Sequence, residues 1–149
     1  MNKNLLISSP IYCLVREVNE YNIANKTNYS YGQYVALVKS KKEGKKMRKN
    51  KKQYLNKYLL QQAKIDRLNK MVFLNPDLKA KYQREIKNAK TIRNEIENKI
   101  ESVDNGILSE VLFQKYILGR TLEEVSLAIN YSKRQTERFH IAALEKFKM

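Results

Sequence analysis

The chain has 149 residues, 42 % of them hydrophobic, and a formal net charge of +15. That apolar content supports small packed cores and excludes wholesale disorder, and the scarcity of Gly (4) and Pro (2) favours helices over a sheet-rich fold. The single cysteine, Cys13, excludes an intrachain disulfide and a cysteine-based zinc site, and no apolar run reaches the roughly 18–20 residues of a membrane span.

The charge is unevenly placed. Residues 1–53 carry 12 basic and 3 acidic groups (+9), residues 54–106 carry 11 and 7 (+4), and residues 107–149 carry 7 and 5 (+2). Such an excess calls for a polyanionic partner, nucleic acid first and an anionic membrane surface second. The opening MNKNLLISSPIYCLV is not read as a signal peptide, because Ser8, Ser9 and Pro10 break its apolar stretch and Arg16 and Glu17 follow at once. With one cysteine, no leader and no span, the expected location is cytoplasmic.

Ser9-Pro10 is a capping residue followed by proline at the first helical position. Ile11, Leu14, Val15, Val18 and Tyr21 then recur at helical spacing. Asn28-Tyr29-Ser30 reads as a turn, and a second helix starts at Tyr31. Residues 39–57, KSKKEGKKMRKNKKQYLNK, hold ten Lys or Arg and one Glu. This run is read as a solvated helix end, a break at Gly44 and a basic linker over 44–53. Lys45, Lys46, Arg48, Lys49, Lys51 and Lys52 are its candidate phosphate contacts. A merely solvated charge run is the plainer alternative.

A helical hairpin is expected over 54–106. Its first arm shows Leu55, Tyr58, Leu59, Ile65, Leu68 and Val72. Its second shows Tyr82, Ile86, Ala89, Ile92, Ile96, Ile100 and Val103, the stripe of a helix burying one face in a coiled-coil-like seam. Asn75-Pro76-Asp77 supplies the turn, with Asp77 as the next cap, and Asn105-Gly106 ends the second arm.

Residues 107–149 hold three short helices. The first runs from Ile107 to a stop at Gly119. Thr121 caps the second with Glu124 in a capping box, and Ser132 caps the third. The last two have helix-turn-helix spacing: Val125 and Ile129 face the core, Ser126 is the small crossing residue, Asn130 takes the left-handed turn, and Thr136 and Phe139 pack back. The exposed face of the last helix then offers Lys133, Arg134, Gln135 and Arg138 to a major groove, where Arg and Lys suit guanine edges and Gln suits adenine. Ser132 lies at a helix start that favours a phosphate, and Arg120, Thr121 and Tyr131 flank the motif. The plainer alternative is a helical bundle with a solvated polar face.

The stretch QKYILGRTLEEVSLAINYSKRQTERFHIAALEKF resembles the C-terminal part of small regulators from phages and other mobile elements of Gram-positive bacteria. These are the ArpU and RinA type, whose ends are similar to region 4 of sigma-70 factors. The resemblance rests on Tyr116, Ile117, Gly119, Thr121, Glu123, Glu124, Val125, Asn130, Tyr131, Ser132, His140, Ala143 and Leu144. It covers about residues 54–147 and is strongest after 113. Leu122, Ser126 and Thr136 depart from the usual aromatic, Ala and Val. The resemblance implies sequence-specific binding of double-stranded DNA and transcriptional control.

Asn28-Tyr29-Ser30 echoes Asn130-Tyr131-Ser132. Placing Asn28 on Asn130 puts Ala24 on Ser126, Ile23 on Val125, Tyr34 on Thr136 and Leu37 on Phe139, with Thr27 in place of an Ile and Gly32 inside the second helix. A second, degenerate helix-turn-helix and a chance echo in an Asn-rich chain both fit.

Chemistry points away from catalysis. His140 is the sole histidine and sits at the edge of a buried face, and no nucleophile set, paired carboxylates, phosphate loop or metal cluster can be assembled. Tyr29, Tyr31, Tyr34, Tyr54 and Tyr58 suit either base stacking or packing, and Cys13 suits a core. The expected protein is all-α and not an enzyme, without cofactor or metal. It has an N-terminal helical module (1–43), a basic linker (44–53), a hairpin (54–106) and a helix-turn-helix (107–149). The leading function is a DNA-binding regulator, with a homodimer through the hairpin giving two half-sites. The competing function is a mobile-element inhibitor or adaptor that binds a host nucleoprotein, such as a CRISPR nuclease or RNA polymerase, and blocks its nucleic-acid channel.

Overall fold

The computed structural model describes residues 10–149, with side chains from Leu14 onward. The described residues form helices and no strand: α1 Pro10–Asn25, α2 Tyr31–Leu74, α3 Lys79–Glu101, α4 Gly106–Leu112, α5 Leu122–Ala128 and α6 Lys133–Lys146. The fold is all-α. The cap expected of Ser9 and the packing expected of Ile11 and Cys13 lie outside the described residues and side chains. Two compact units divide the chain, Met1–Lys46 and Met47–Met149.

In the first unit, α1 ends because Lys26 turns left-handed (φ 52°), which lets the Thr27 N–H bond back to the Asn22 carbonyl at 3.0 Å. The Asn22 side chain then clamps the loop. Its Oδ1 accepts from the Tyr29 N–H and the Thr27 hydroxyl, both at 3.0 Å, while its Nδ2 donates to the Tyr29 carbonyl at 2.9 Å. Ser30 and Gln33 cap α2 reciprocally, the Gln33 side chain accepting from the Ser30 N–H at 2.8 Å and the Ser30 hydroxyl from the Gln33 N–H at 3.4 Å. Val18 is buried. The Tyr21 ring lies 5.2 Å from that of Tyr34, and its hydroxyl accepts from Lys41 at 3.1 Å. The two helices and the turn between them do not follow the overlay on Asn130. The left-handed residue is Lys26, four positions before the capping Ser30, whereas Asn130 stands two before Ser132. Ile23, overlaid on a buried valine, is 80 % exposed, and Ala24 is exposed too.

Gly44 does not break the helix, since residues 44–53 all lie inside α2, and the boundary between the two units falls among them, at Lys46 and Met47. One glycine costs a helix interior about 1 kcal/mol, and the lysines and arginine around it are good helix formers.

In the second unit, α2 and α3 meet along side chains from Tyr54–Glu95 (2.9 Å) to Lys64–Glu85 (3.2 Å), so they run antiparallel. Ile65, Leu68, Ile86 and Ala89 form a small cluster near the turn. Leu55, Tyr58, Ile96, Ile100 and Val103 join Leu108, Leu112, Tyr116, Ala143, Leu144 and Phe147 in the main core. Between the clusters, Arg93 takes the inward place expected of Ile92, which is 38 % exposed. Arg93 Nη1 donates to Gln62 Oε1 at 2.7 Å, and its guanidinium lies 5.9 Å from the Tyr58 ring centre. A hydrogen-bond acceptor and a ring face on α2 thus hold a cation where α3 offers two neighbouring side chains for one inward place. Leu59, expected inward, is partly exposed, and a Cβ on Gly119 would meet it at 3.5 Å. Asp77 does not cap α3. A 3-10 turn over Pro76–Leu78 intervenes, and Leu78 holds the cap position without a side-chain bond. Nor does Asn105 end α3: its side chain accepts from the Ile107 and Leu108 N–H groups at 3.1 and 3.2 Å and starts α4.

Candidate nucleic-acid interface

Three backbone devices place α5 and α6. After α4 the chain widens into a π-helical turn over Phe113–Ile117, closed by Gly119 at φ 71° with the Arg120 N–H bonded to the Gln114 carbonyl at 3.1 Å. Thr121 and Glu124 then form a reciprocal cap. The Thr121 backbone N–H donates to Glu124 Oε2 at 2.7 Å and, with the Thr121 hydroxyl, holds that carboxyl below its usual range. Finally, α5 ends at Asn130 (φ 56°): the Tyr131 N–H bonds the Ser126 carbonyl at 3.1 Å and the Asn130 N–H bonds the Leu127 carbonyl at 3.4 Å. This is the glycine-type helix stop with asparagine as the left-handed residue.

Where α5 meets α6, Val125, Ser126 and Thr136 are buried. Both hydroxyls are satisfied locally, Ser126 by the Glu123 carbonyl at 2.7 Å and Thr136 by the Ser132 carbonyl at 3.1 Å, so these polar residues leave nothing unpaired at the crossing. Tyr131 packs edge-on against Phe139 at 5.1 Å between centroids. Beneath α6, the Tyr116 hydroxyl and His140 Nε2 share a buried hydrogen bond of 2.9 Å. Burial, helped by the Lys52 and Lys115 charges, pushes His140 down to about 4, and burial raises Tyr116 to about 12. At neutral pH both groups are therefore uncharged, and they share this hydrogen bond as neutral partners.

The expected contact residues fall into two groups. Arg134 and Arg138 are exposed and, among the described residues, pair with nothing. The others are engaged. Lys133 is ion-paired to Glu123, whose hydrogen bond raises its pKa. Arg120 donates to Gln114 Oε1 at 2.5 Å, and the Thr121 and Ser132 hydroxyls serve as caps. Gln135 is half-buried on the flank of α6, and Tyr131 is exposed while its ring packs at right angles to that of Phe139.

The basic run splits likewise. Lys45, Lys46, Lys49 and Lys52 are exposed. Arg48 is ion-paired to Glu145 at 2.9 Å. Lys51 is not a phosphate contact: it is 7 % exposed, and its Nζ donates to the Glu145 carbonyl at 3.1 Å. There it caps the C-terminal end of α6, where carbonyls lack helical partners and a cation opposes the helix dipole. Burial lowers its pKa, and Glu145 opposes that shift.

Glu123, Glu137 and Glu145 share this surface and were missed as candidates. Their only trace in the sequence is the small net charge of residues 107–149. Among the described residues no group of three or more His, Cys, Asp or Glu is placed to hold a metal ion, and no helix is long and apolar enough to cross a membrane. Comparison with protein-family models, curated proteins and solved structures found no match.

Proposed function

We propose that this protein is a sequence-specific duplex-DNA-binding regulator of transcription, of the kind carried by phages and other mobile elements, with α5 and α6 as its helix-turn-helix. The observation that carries the reading is the outward face of α6. Arg134 and Arg138 stand exposed and unpaired in its first two turns, on a helix fixed by the Asn130 stop and the Ser132 cap. Two guanidinium forks free of intramolecular partners, one turn apart on a rigid helix, suit guanine edges in a major groove. The mobile-element assignment is supported by the sequence pattern from Tyr116 to Leu144.

Selection from random duplex DNA tests the reading. The wild-type chain is expected to enrich one motif, and the Arg134→Ala/Arg138→Ala variant to enrich none while keeping its helical circular dichroism. A wild-type chain that enriches nothing contradicts it.

A further inference from the structure

The face assigned to DNA also carries a carboxylate with no hydrogen-bond or ion-pair partner among the described residues. Glu137 is exposed on α6 between Arg134 and Arg138. At 100° per residue the three side chains share an arc of about 100° within two turns. Arg134 stands three residues before Glu137, a spacing that permits an ion pair, yet among the described residues Glu137 makes no hydrogen bond or salt bridge. Lys133, four residues before it, is ion-paired to Glu123 and feels Glu137 only as a weaker charge attraction.

A carboxylate turned toward backbone phosphates is repelled by them. On the floor of the major groove it meets amino donors, and cytosine N4 is the one that a carboxylate characteristically accepts from. The arginines beside it match guanine O6 and N7 in the same groove. Glu137, Arg134 and Arg138, in that angular order on one arc, therefore suit a run of G·C pairs with cytosine at one end of the reading face.

We propose that Glu137 is a specificity-determining residue of the DNA-reading face, accepting a hydrogen bond from the N4 amino group of a cytosine beside the guanines that Arg134 and Arg138 contact. The inference rests on the DNA-binding reading above. Glu137 also acts against wrong sites, since an unpaired carboxylate in the groove weakens attachment to any sequence without a donor at that position.

Parallel selections from random duplex DNA with wild type, Glu137→Ala and Glu137→Gln test it. The wild-type motif is expected to contain a cytosine next to guanine. Glu137→Ala is expected to lose preference at that one position, a drop of about tenfold or more in discrimination, with the remaining positions kept. Glu137→Gln is expected to shift the position toward adenine, and both variants to bind unselected duplex more tightly than wild type. Identical motifs from all three proteins overturn this inference and leave the DNA reading standing. A wild-type chain that enriches nothing overturns both.

Discussion

Asn130 adopts φ 56° because α5 must stop within one residue for α6 to start at its Ser132 cap. Asparagine pays less than most side chains there, and glycine pays least. Asn130→Ala is therefore expected to lower unfolding free energy by about 1 kcal/mol in urea titrations, and Asn130→Gly to stay within about 0.5 kcal/mol of wild type. This stop was legible in the sequence from its place among the apolar residues. Its echo at Asn28 was misleading, because what the two stretches share is a serine cap with glutamine three residues on, while the left-handed position moved to Lys26. His140 supplies the pH dependence. Its folded pKa of about 4 lies below the ordinary 6.5, so the unfolded chain binds more protons between those values. Its contribution is fully present above pH 6.5 and is lost as pH falls toward 4, by about 3 kcal/mol in all. Denaturant midpoints measured from pH 7 to pH 4 are expected to fall, and His140→Gln to flatten that fall.

The α2–α3 seam was legible as an apolar stripe but not in its middle layer. The apolar side chain points to Ile92, whereas regular alternation of the stripe points to position 93, and Arg93 is held inward by Gln62 and Tyr58, some thirty residues away along the chain. Arg93 Nε is buried there with no partner. Such a cation stabilises the fold less than an apolar side chain of similar size. Arg93→Leu is expected to raise the urea midpoint by the equivalent of about 1 kcal/mol or more, and a lower midpoint would contradict this account of the seam. Gly44 and Lys51 teach the same lesson. Helix breaking was read from one residue, but helices are held mainly by the packing of their faces. Lys51 is fixed by a carbonyl 94 residues away, which local pattern cannot reveal.

For the molecule as a whole, composition correctly indicated helices and an excess of cations, but not which cations are free. Glu145 occupies Arg48 and takes Lys51, and Glu123 occupies Lys133. Of the cations expected to contact DNA in the second unit, this leaves Arg134, Arg138, Lys49 and Lys52 exposed and without a hydrogen-bond or ion-pair partner among the described residues. If those four meet phosphates or base edges, log affinity for duplex DNA is expected to fall with log salt at a slope of about −4, and a slope near zero would remove the electrostatic part of the account. The most direct test of the central claim is a nuclease footprint on a duplex carrying the selected motif, comparing wild type with Arg134→Ala/Arg138→Ala. The account predicts a discrete protected segment with wild type and none with the variant at equal concentration. Protection that survives the double substitution, or that covers a scrambled duplex equally well, would contradict it and favour a chain whose basic surface serves a nucleoprotein partner.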